Sequence, residues 1–381
     1  MRRFTCDCGN AAPLFFENFH CVSCNNSVGY CFLEESMKTL KPTQTAGLYL
    51  SNDKHYRTCA NRQEGVCNGV IEIANEKDMT GKAPLCFACH FNDNIPDLKI
   101  PSHIELWRRL EKAKRRLLQS LMALRLPLPD KQQSPEGLSF SFMTDKKASD
   151  HFRTPITHSG PVFTGHAQGD ITINLAEADD VARHRMREDM GEQYRTLLGH
   201  FRHEIGHFYW DVLIRDDAAW LAKFRSLFGD PDLSYQEALE RHYHRDPNDT
   251  SWQSQYISAY ATMHPWEDWA ETFAHYLHMI DTIETARSWG LQSHSGLRSS
   301  SVPVIADMPL PQDANVDVNF ELLLENWLHF SVILNALNRS MGTDDAYPFV
   351  VVGPVQQKLK MIHELLRAKR MPTKQSIVSK K

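Results

Sequence analysis

The sequence predicts an α+β protein, with a small cysteine-rich module at the N-terminus and a mainly helical domain that carries a short β-sheet after it. Three observations predict this. All nine cysteines fall between Cys6 and Cys89, and none follow. Short stretches between residues 138 and 175 alternate apolar and polar residues, the period of a half-buried strand. From about Gly191 onward, apolar residues recur at three and four, the period of a helix.

Residues 1–95 form the first module. Cys6-x-Cys8 with Cys21-x2-Cys24 makes one candidate tetrad, and Cys59-x7-Cys67 with Cys86-x2-Cys89 makes another. Paired thiolates at such spacing close tetrahedral structural zinc sites, so two structural zinc ions are expected. Cys6-x-Cys8 departs from the commoner two-residue spacing. Cys31 is left over and reads as a buried free thiol. A swapped ligand set that takes in Cys31, His20 or His90 is the alternative. With so little apolar content, the module is expected to fold only with metal bound.

Residues 100–381 form the second domain. A connecting helix over 103–126 carries Trp107, Leu110, Leu117, Leu118, Leu121 and Leu124 on one face. Arg108, Arg109, Lys112, Lys114, Arg115 and Arg116 lie on the other and read as a solvated face with snorkelling stems. Nucleic-acid contact there is the lesser reading. Leu138–Phe142, Val162–Thr164 and Ile171–Leu175 read as the short strands of 138–175. Gly165–Asp170 supplies turn chemistry, which predicts a hairpin. Helices follow over 191–290, a Ser-, Pro- and Asp-rich loop over 295–315, and C-terminal helices over 316–370 ahead of a basic tail.

Composition narrows the class. Apolar residues make up 42% and charged residues 23%, which excludes disorder for most of the 381 residues. The net charge of −5 argues against a general nucleic-acid coat. No apolar run reaches the length of a membrane span. Met1-Arg2-Arg3-Phe4-Thr5-Cys6 has a basic start without an apolar stretch behind it, so no secretory signal is expected. Cysteines serving as metal ligands imply a reducing cytoplasm.

The central motif is His203-Glu204-Ile205-Gly206-His207. Four residues turn a helix by about 400°, so the two imidazoles share one face, one turn apart. Both can then reach one zinc ion at about 2.0–2.1 Å. Glu204 sits beside the first ligand, where it can take a proton from a metal-activated water. Tyr194, Leu197, Leu198, Phe201, Ile205, Phe208 and Trp210 support the helix. The plain alternative is two surface histidines on an amphipathic helix.

A zinc hydrolase needs a third protein ligand and an open fourth position. A third histidine further along the helix is excluded, because positions 210 and 213 are Trp and Leu. Asp211 is on the same face as His207 but another turn along, about 6 Å further by helix rise, which suits an outer partner or a cap. A separate helix, His264 to Leu277, carries Glu267 and Glu271 four apart, with Pro265 suited to its first turn. Burying two carboxylates on an aromatic and apolar helix is costly without cations or donors. A zinc ion for Glu267 and an imidazole N–H for Glu271 would offset that cost.

The pair His203-Glu204-x-x-His207 and Glu267-x-x-Ala270-Glu271 resembles the gluzincin, thermolysin-like metallopeptidases. The resemblance implies that Glu267 is the third zinc ligand and that Glu271 orients a ligand histidine. It also implies a tyrosine that stabilises the oxyanion, for which Tyr260 is the candidate and His264 the alternative donor. Nearly the whole chain is similar to a bacterial family of zinc-binding metallopeptidases with an N-terminal zinc ribbon. The matching blocks are Leu14–Asn18, Cys59–Arg62, Ile95–Leu98, Gly165–Ala167, Glu177–Asp180, Tyr194–Trp210 and His264–Leu277.

The expectation is therefore a cytoplasmic zinc peptidase acting on a peptide or protein, with one catalytic and two structural zinc ions. His203, His207 and Glu267 would hold the catalytic ion, Glu204 would be the base, and Asp211, Glu271 and His264 would lie behind them. Ile171–Leu175 would offer its edge to an extended peptide. The ribbon would recruit a protein or brace the fold. The rival expectation is a non-catalytic zinc scaffold that binds a protein or nucleic acid.

Overall fold

The computed structural model describes residues 2–9, 12–74, 81–144, 164–183, 196–246, 248–291, 310–313 and 318–372. Tyr194, the predicted strand residues Val162 and Phe163, most of the 295–315 loop and nearly all of the basic tail lie outside them. Spatial proximity divides the chain into two units. One takes in 4–119 and 128–186, the other 120–127 and 187–377, with the chain ends shared between them.

The first unit holds the cysteines and every strand described. β1 (Val28–Cys31) and β2 (Ser36–Thr39) form an antiparallel hairpin. β3 (Lys41–Pro42), β4 (Leu48–Ser51), β5 (Lys54–Thr58) and β6 (Val70–Ile73) form an antiparallel meander. Asn52 and Asp53 both take positive φ between the Ser51–Lys54 pair, which makes the tight turn that matches strand twist. A short helix α1 (Phe87–His90) follows, with Phe16, Tyr30 and Phe32 packed edge to face, Phe87 tilted against Phe32, and Phe91 edge to face on Phe87.

The long helix α2 (Pro101–Ala123) buries Trp107, Leu110, Leu117, Leu118 and Leu121 as its period predicts. Its charged face is solvated at Arg109 and Lys112 as expected and departs from expectation elsewhere. Lys114 and Arg115 are buried, and so is Glu111, which pairs with Lys114 at 2.7 Å. Lys114 also donates to the Ala88 carbonyl at 2.9 Å, and Arg115 donates to Asn68. Arg108 donates to the carbonyls of Glu64 and Gly65, Arg109 to that of Ala178, and Arg116 to Glu17. Lys114 and Arg115 are therefore withdrawn from solvent, whereas Arg109 and Lys112 stay exposed on the solvated side of the helix.

A second sheet runs in the order β7 (Asn92–Asn94), β8 (Ser139–Met143), β10 (Asp170–Asn174), β9 (Gly165–Ala167). The predicted hairpin forms, but with a shorter turn. Gln168 and Gly169 both take positive φ, so a two-residue turn suffices and Gly165–Ala167 is strand. β10 runs parallel to β8 on one side and antiparallel to β9 on the other. Asp170–Thr172 is thus paired on both sides, so these residues cannot take up an added peptide strand as expected.

The second unit is helical: α3 (Leu197–Trp210), α4 (Ala218–Phe228), α5 (Tyr235–Tyr243), α6 (Pro265–Ser288), α7 (Phe320–Ser340) and α8 (Gly353–Ala368). Phe201, Ile205, Phe208, Tyr209, Trp269 and Phe273 lie in its core. α3 and α6 come close enough that a Cβ on Gly206 would lie 3.0 Å from the Ala270 Cα. The Trp269 indole N–H donates to the Gly206 carbonyl at 2.8 Å and locks the crossing. No described helix is long and apolar enough to cross a membrane.

Candidate metal centre

Local sequence sets each half of the centre. Thr196 caps α3, its hydroxyl accepting from the Gly199 N–H at 3.0 Å. That places His203 and His207 on adjacent turns of one face. α6 opens with Pro265 in its first turn and His264 as its cap, the His264 Nδ1 accepting from the Trp266 N–H at 3.1 Å. That places Glu267 and Glu271 on the face turned to α3.

The two faces meet. His203 Nε2 is 2.9 Å from Glu267 Oε2 and 3.2 Å from His207 Nε2, and His207 Nε2 is 3.4 Å from the same oxygen. A tetrahedral zinc ion with bonds near 2.05 Å has ligand–ligand edges of about 3.3 Å. The three atoms therefore outline one face of such a tetrahedron, and these residues fit the ion. Glu271 Oε1 accepts from His203 Nδ1 at 2.8 Å, and its other oxygen accepts from the Ser258 hydroxyl at 2.7 Å. Burial opposes ionisation of Glu271, yet the His203 hydrogen bond holds its carboxyl down at about 2.

Glu204 is buried, and no described residue hydrogen-bonds its carboxylate. Burial pushes its carboxyl up, while His203 and His207 pull it down. Tyr260 stands in a short 3-10 turn ahead of α6, with its ring 5.9 Å from that of His203 and 5.6 Å from that of His242. Burial, then the Glu267 charge, raise its hydroxyl well above the ordinary phenol value, so it stays a donor.

Two predicted outer residues lie elsewhere. His264 uses both ring nitrogens away from the ligands, since its Nε2 donates to the Leu233 carbonyl at 3.1 Å. Asp211 begins a π-helical turn over Asp211–Arg215 and pairs with Arg215 at 3.5 Å. Residues not singled out in the sequence do reach the centre. Tyr235, the first residue of α5, donates to Glu267 Oε1 at 2.9 Å. Trp266 packs on His207 with centroids 4.0 Å apart. Only a hydrophobic residue beside a cap, Ser234-Tyr235, marked Tyr235 in the sequence, and that signal is shared by many helix starts.

The cysteines gather into the two predicted groups, Cys6, Cys8, Cys21 and Cys24, and Cys59, Cys67, Cys86 and Cys89. Thiolates around tetrahedral zinc stand about 3.8 Å apart. Cys6 and Cys24 sulfurs are 3.7 Å apart, and those of Cys67 and Cys86 are 3.5 Å apart. The second group is wholly buried. A Cβ on Gly69 would lie 2.5 Å from the Cys86 sulfur, so only glycine admits this thiol against the chain. Hydrogen bonds from its three neighbours hold the Cys67 thiol well below the ordinary value, while Cys59, Cys86 and Cys89 are pushed up. Gathering four buried thiols in their ionised form calls for a cation. Cys31 joins neither group and packs with Leu40, Tyr56 and Val70.

A family model described as "Putative zinc-binding metallo-peptidase" matches residues 103–365, and one described as a zinc-ribbon domain matches residues 3–100. Uncharacterized proteins of Mycobacterium tuberculosis and Mycobacterium bovis are each 39% identical over 368 residues, covering 96% of this chain and 95% of theirs. No solved structure matches the chain.

Proposed function

The chain belongs to this zinc-binding metallo-peptidase family, and we propose that it hydrolyses peptide bonds at the centre formed by α3 and α6. His203, His207 and Glu267 would hold one zinc ion, and each of the two cysteine groups would hold one structural zinc ion. When bound, the catalytic zinc supplies a lowered water pKa and a polarised scissile carbonyl. Glu204 accepts the proton of the attacking water and passes it to the leaving amine. Tyr260 donates its hydroxyl to the oxyanion that develops on the carbonyl oxygen. Glu271 fixes the His203 ring and its tautomer.

One observation carries the reading. Among the described residues the ligand set has three protein atoms, with the buried Glu204 carboxylate next to it hydrogen-bonded by none of them. A structural zinc site would close with four. The expected substrate is a peptide or protein, and the ribbon serves a protein partner more readily than nucleic acid, because Lys114 and Arg115 of α2 are buried and Arg108 and Arg116 are held by groups of the same unit. Zinc held by cysteines suits a reducing cytoplasm.

The test is Glu204→Gln. The variant should keep all its zinc and lose hydrolysis of a mixed peptide library, followed by mass spectrometry. Turnover at the parent rate would remove Glu204 as the base. A parent protein that cleaves nothing while zinc-loaded would favour the scaffold reading.

A further inference from the structure

We propose that Tyr235 is a positioning residue that restricts Glu267 to ligation through a single oxygen. The inference rests on Glu267 being the third ligand. The two oxygens of that carboxylate face different groups. Oε2 is turned to the imidazoles, 2.9 Å from His203 Nε2 and 3.4 Å from His207 Nε2. Oε1 is occupied by the Tyr235 hydroxyl at 2.9 Å. A carboxylate left to itself can close both oxygens on one metal, and the second bond would use coordination space that the attacking water needs. A hydroxyl donating to Oε1 opposes that rotation and fixes which oxygen faces the metal.

The placement of Tyr235 does not come from core packing, since the residue is 40% exposed. It comes from a polar frame between the starts of two helices. Ser234 caps α5, its hydroxyl accepting from the Glu237 N–H at 3.3 Å. His264 caps α6 and, through its other nitrogen, holds the Leu233 carbonyl at 3.1 Å. The His264 ring also packs against Tyr235, with centroids 5.5 Å apart. Leu233 to His264 and Tyr235 to Glu267 are therefore two rungs between the same two segments. This gives His264 a role that touches no metal: it sets the register that delivers the Tyr235 hydroxyl.

The experiment uses the full chain. The His/Glu site is stripped by brief chelation and refilled with zinc or cobalt, with the cysteine-bound zinc left in place. Tyr235→Phe keeps the ring and removes only the hydroxyl. Its zinc affinity at this site should fall by roughly 10–100-fold in chelator competition, as for loss of other groups that orient a ligand. The visible bands of bound cobalt should weaken as coordination number rises, and the melting temperature should stay near that of the parent. Parent affinity with an unchanged cobalt spectrum overturns the inference. Glu267→Ala is measured alongside. If it keeps zinc, the ligand reading itself fails. If it loses zinc while Tyr235→Phe behaves as the parent, only the role of Tyr235 falls.

Discussion

His203 and Glu271 are joined through Nδ1, 2.8 Å from a carboxylate oxygen, which turns Nε2 of the same ring toward Glu267 and His207. That ring therefore lies between two carboxylates. Burial disfavours its charge, but the hydrogen bonds to Glu267 and Glu271 outweigh burial and raise its pKa well above the ordinary value.

The sign of the pH effect follows. In metal-free protein the stabilisation from charged His203 is fully present below about pH 6.5 and is lost as pH rises through the elevated folded value. Zinc needs Nε2 unprotonated, so binding at neutral pH should release a proton, and affinity should fall by about tenfold per pH unit below that value. Calorimetric titration in two buffers of different protonation heat measures the release. No proton release near neutrality would show that the ring is already neutral.

Glu271→Ala removes the hydrogen bond that orients His203 but no bond to metal. Zinc affinity or activity should fall by roughly 10–100-fold, while Glu267→Ala should abolish binding at this site. Asp211→Asn should retain zinc, because Asp211 is engaged with Arg215 beyond the end of α3. Dialysis against graded chelator ranks the three, and loss of zinc in Asp211→Asn would move the site along α3.

The two cysteine groups should differ in lability. Cys8 and Cys24 are half-buried, whereas Cys59, Cys67, Cys86 and Cys89 are all buried. The Cys67 sulfur also accepts from the Gly69 N–H at 3.2 Å. Titration with a thiol-alkylating reagent should release the zinc of Cys6, Cys8, Cys21 and Cys24 first. Peptide mapping that finds Cys67 or Cys86 modified earliest would reverse the assignment.

Lys114 and Glu111 form an ion pair with both side chains fully buried. Lys114→Met removes the ion-pair partner of Glu111, leaves it the Asn92 amide as donor, and should destabilise the first unit by up to about 3–5 kcal/mol. Adding Glu111→Leu should recover much of that loss. Chemical denaturation of the two variants compares them, and equal stability would mean that the cost of Lys114→Met does not come from the lost pairing with Glu111.

The sequence shows some of this directly and hides the rest for physical reasons. His203 and His207, Glu267 and Glu271, and the short cysteine spacings are local patterns on single elements, so helix geometry alone brings their members together. Tyr235 acts on Glu267 from 32 residues away, through a helix whose placement depends on a cap-to-carbonyl bond. Periodicity has no access to such a contact. The charged face of α2 was legible as a stripe, but the burial of Lys114 and Arg115 within it rests on the Ala88 carbonyl and Asn68, contacts that have no sequence signature. The two-sided pairing of β10 depends on a parallel partner, β8, reached only through a long connection.

Gly206 ties together two stretches of sequence that a motif search reads separately. Its missing side chain leaves room for the Ala270 backbone, so residue size on one helix is coupled to residue size on the other. For chains built this way, the recognisable word is compound: His-Glu-x-Gly-His, answered by Glu-x-x-Ala-Glu with 64 residues separating His203 from Glu267. The small residues belong to that spelling as firmly as the ligands do, since they set the spacing at which nitrogen and oxygen meet. A bare His-Glu-x-x-His with a bulky residue in the glycine slot, and no small residue in the second word, spells a different helix pair.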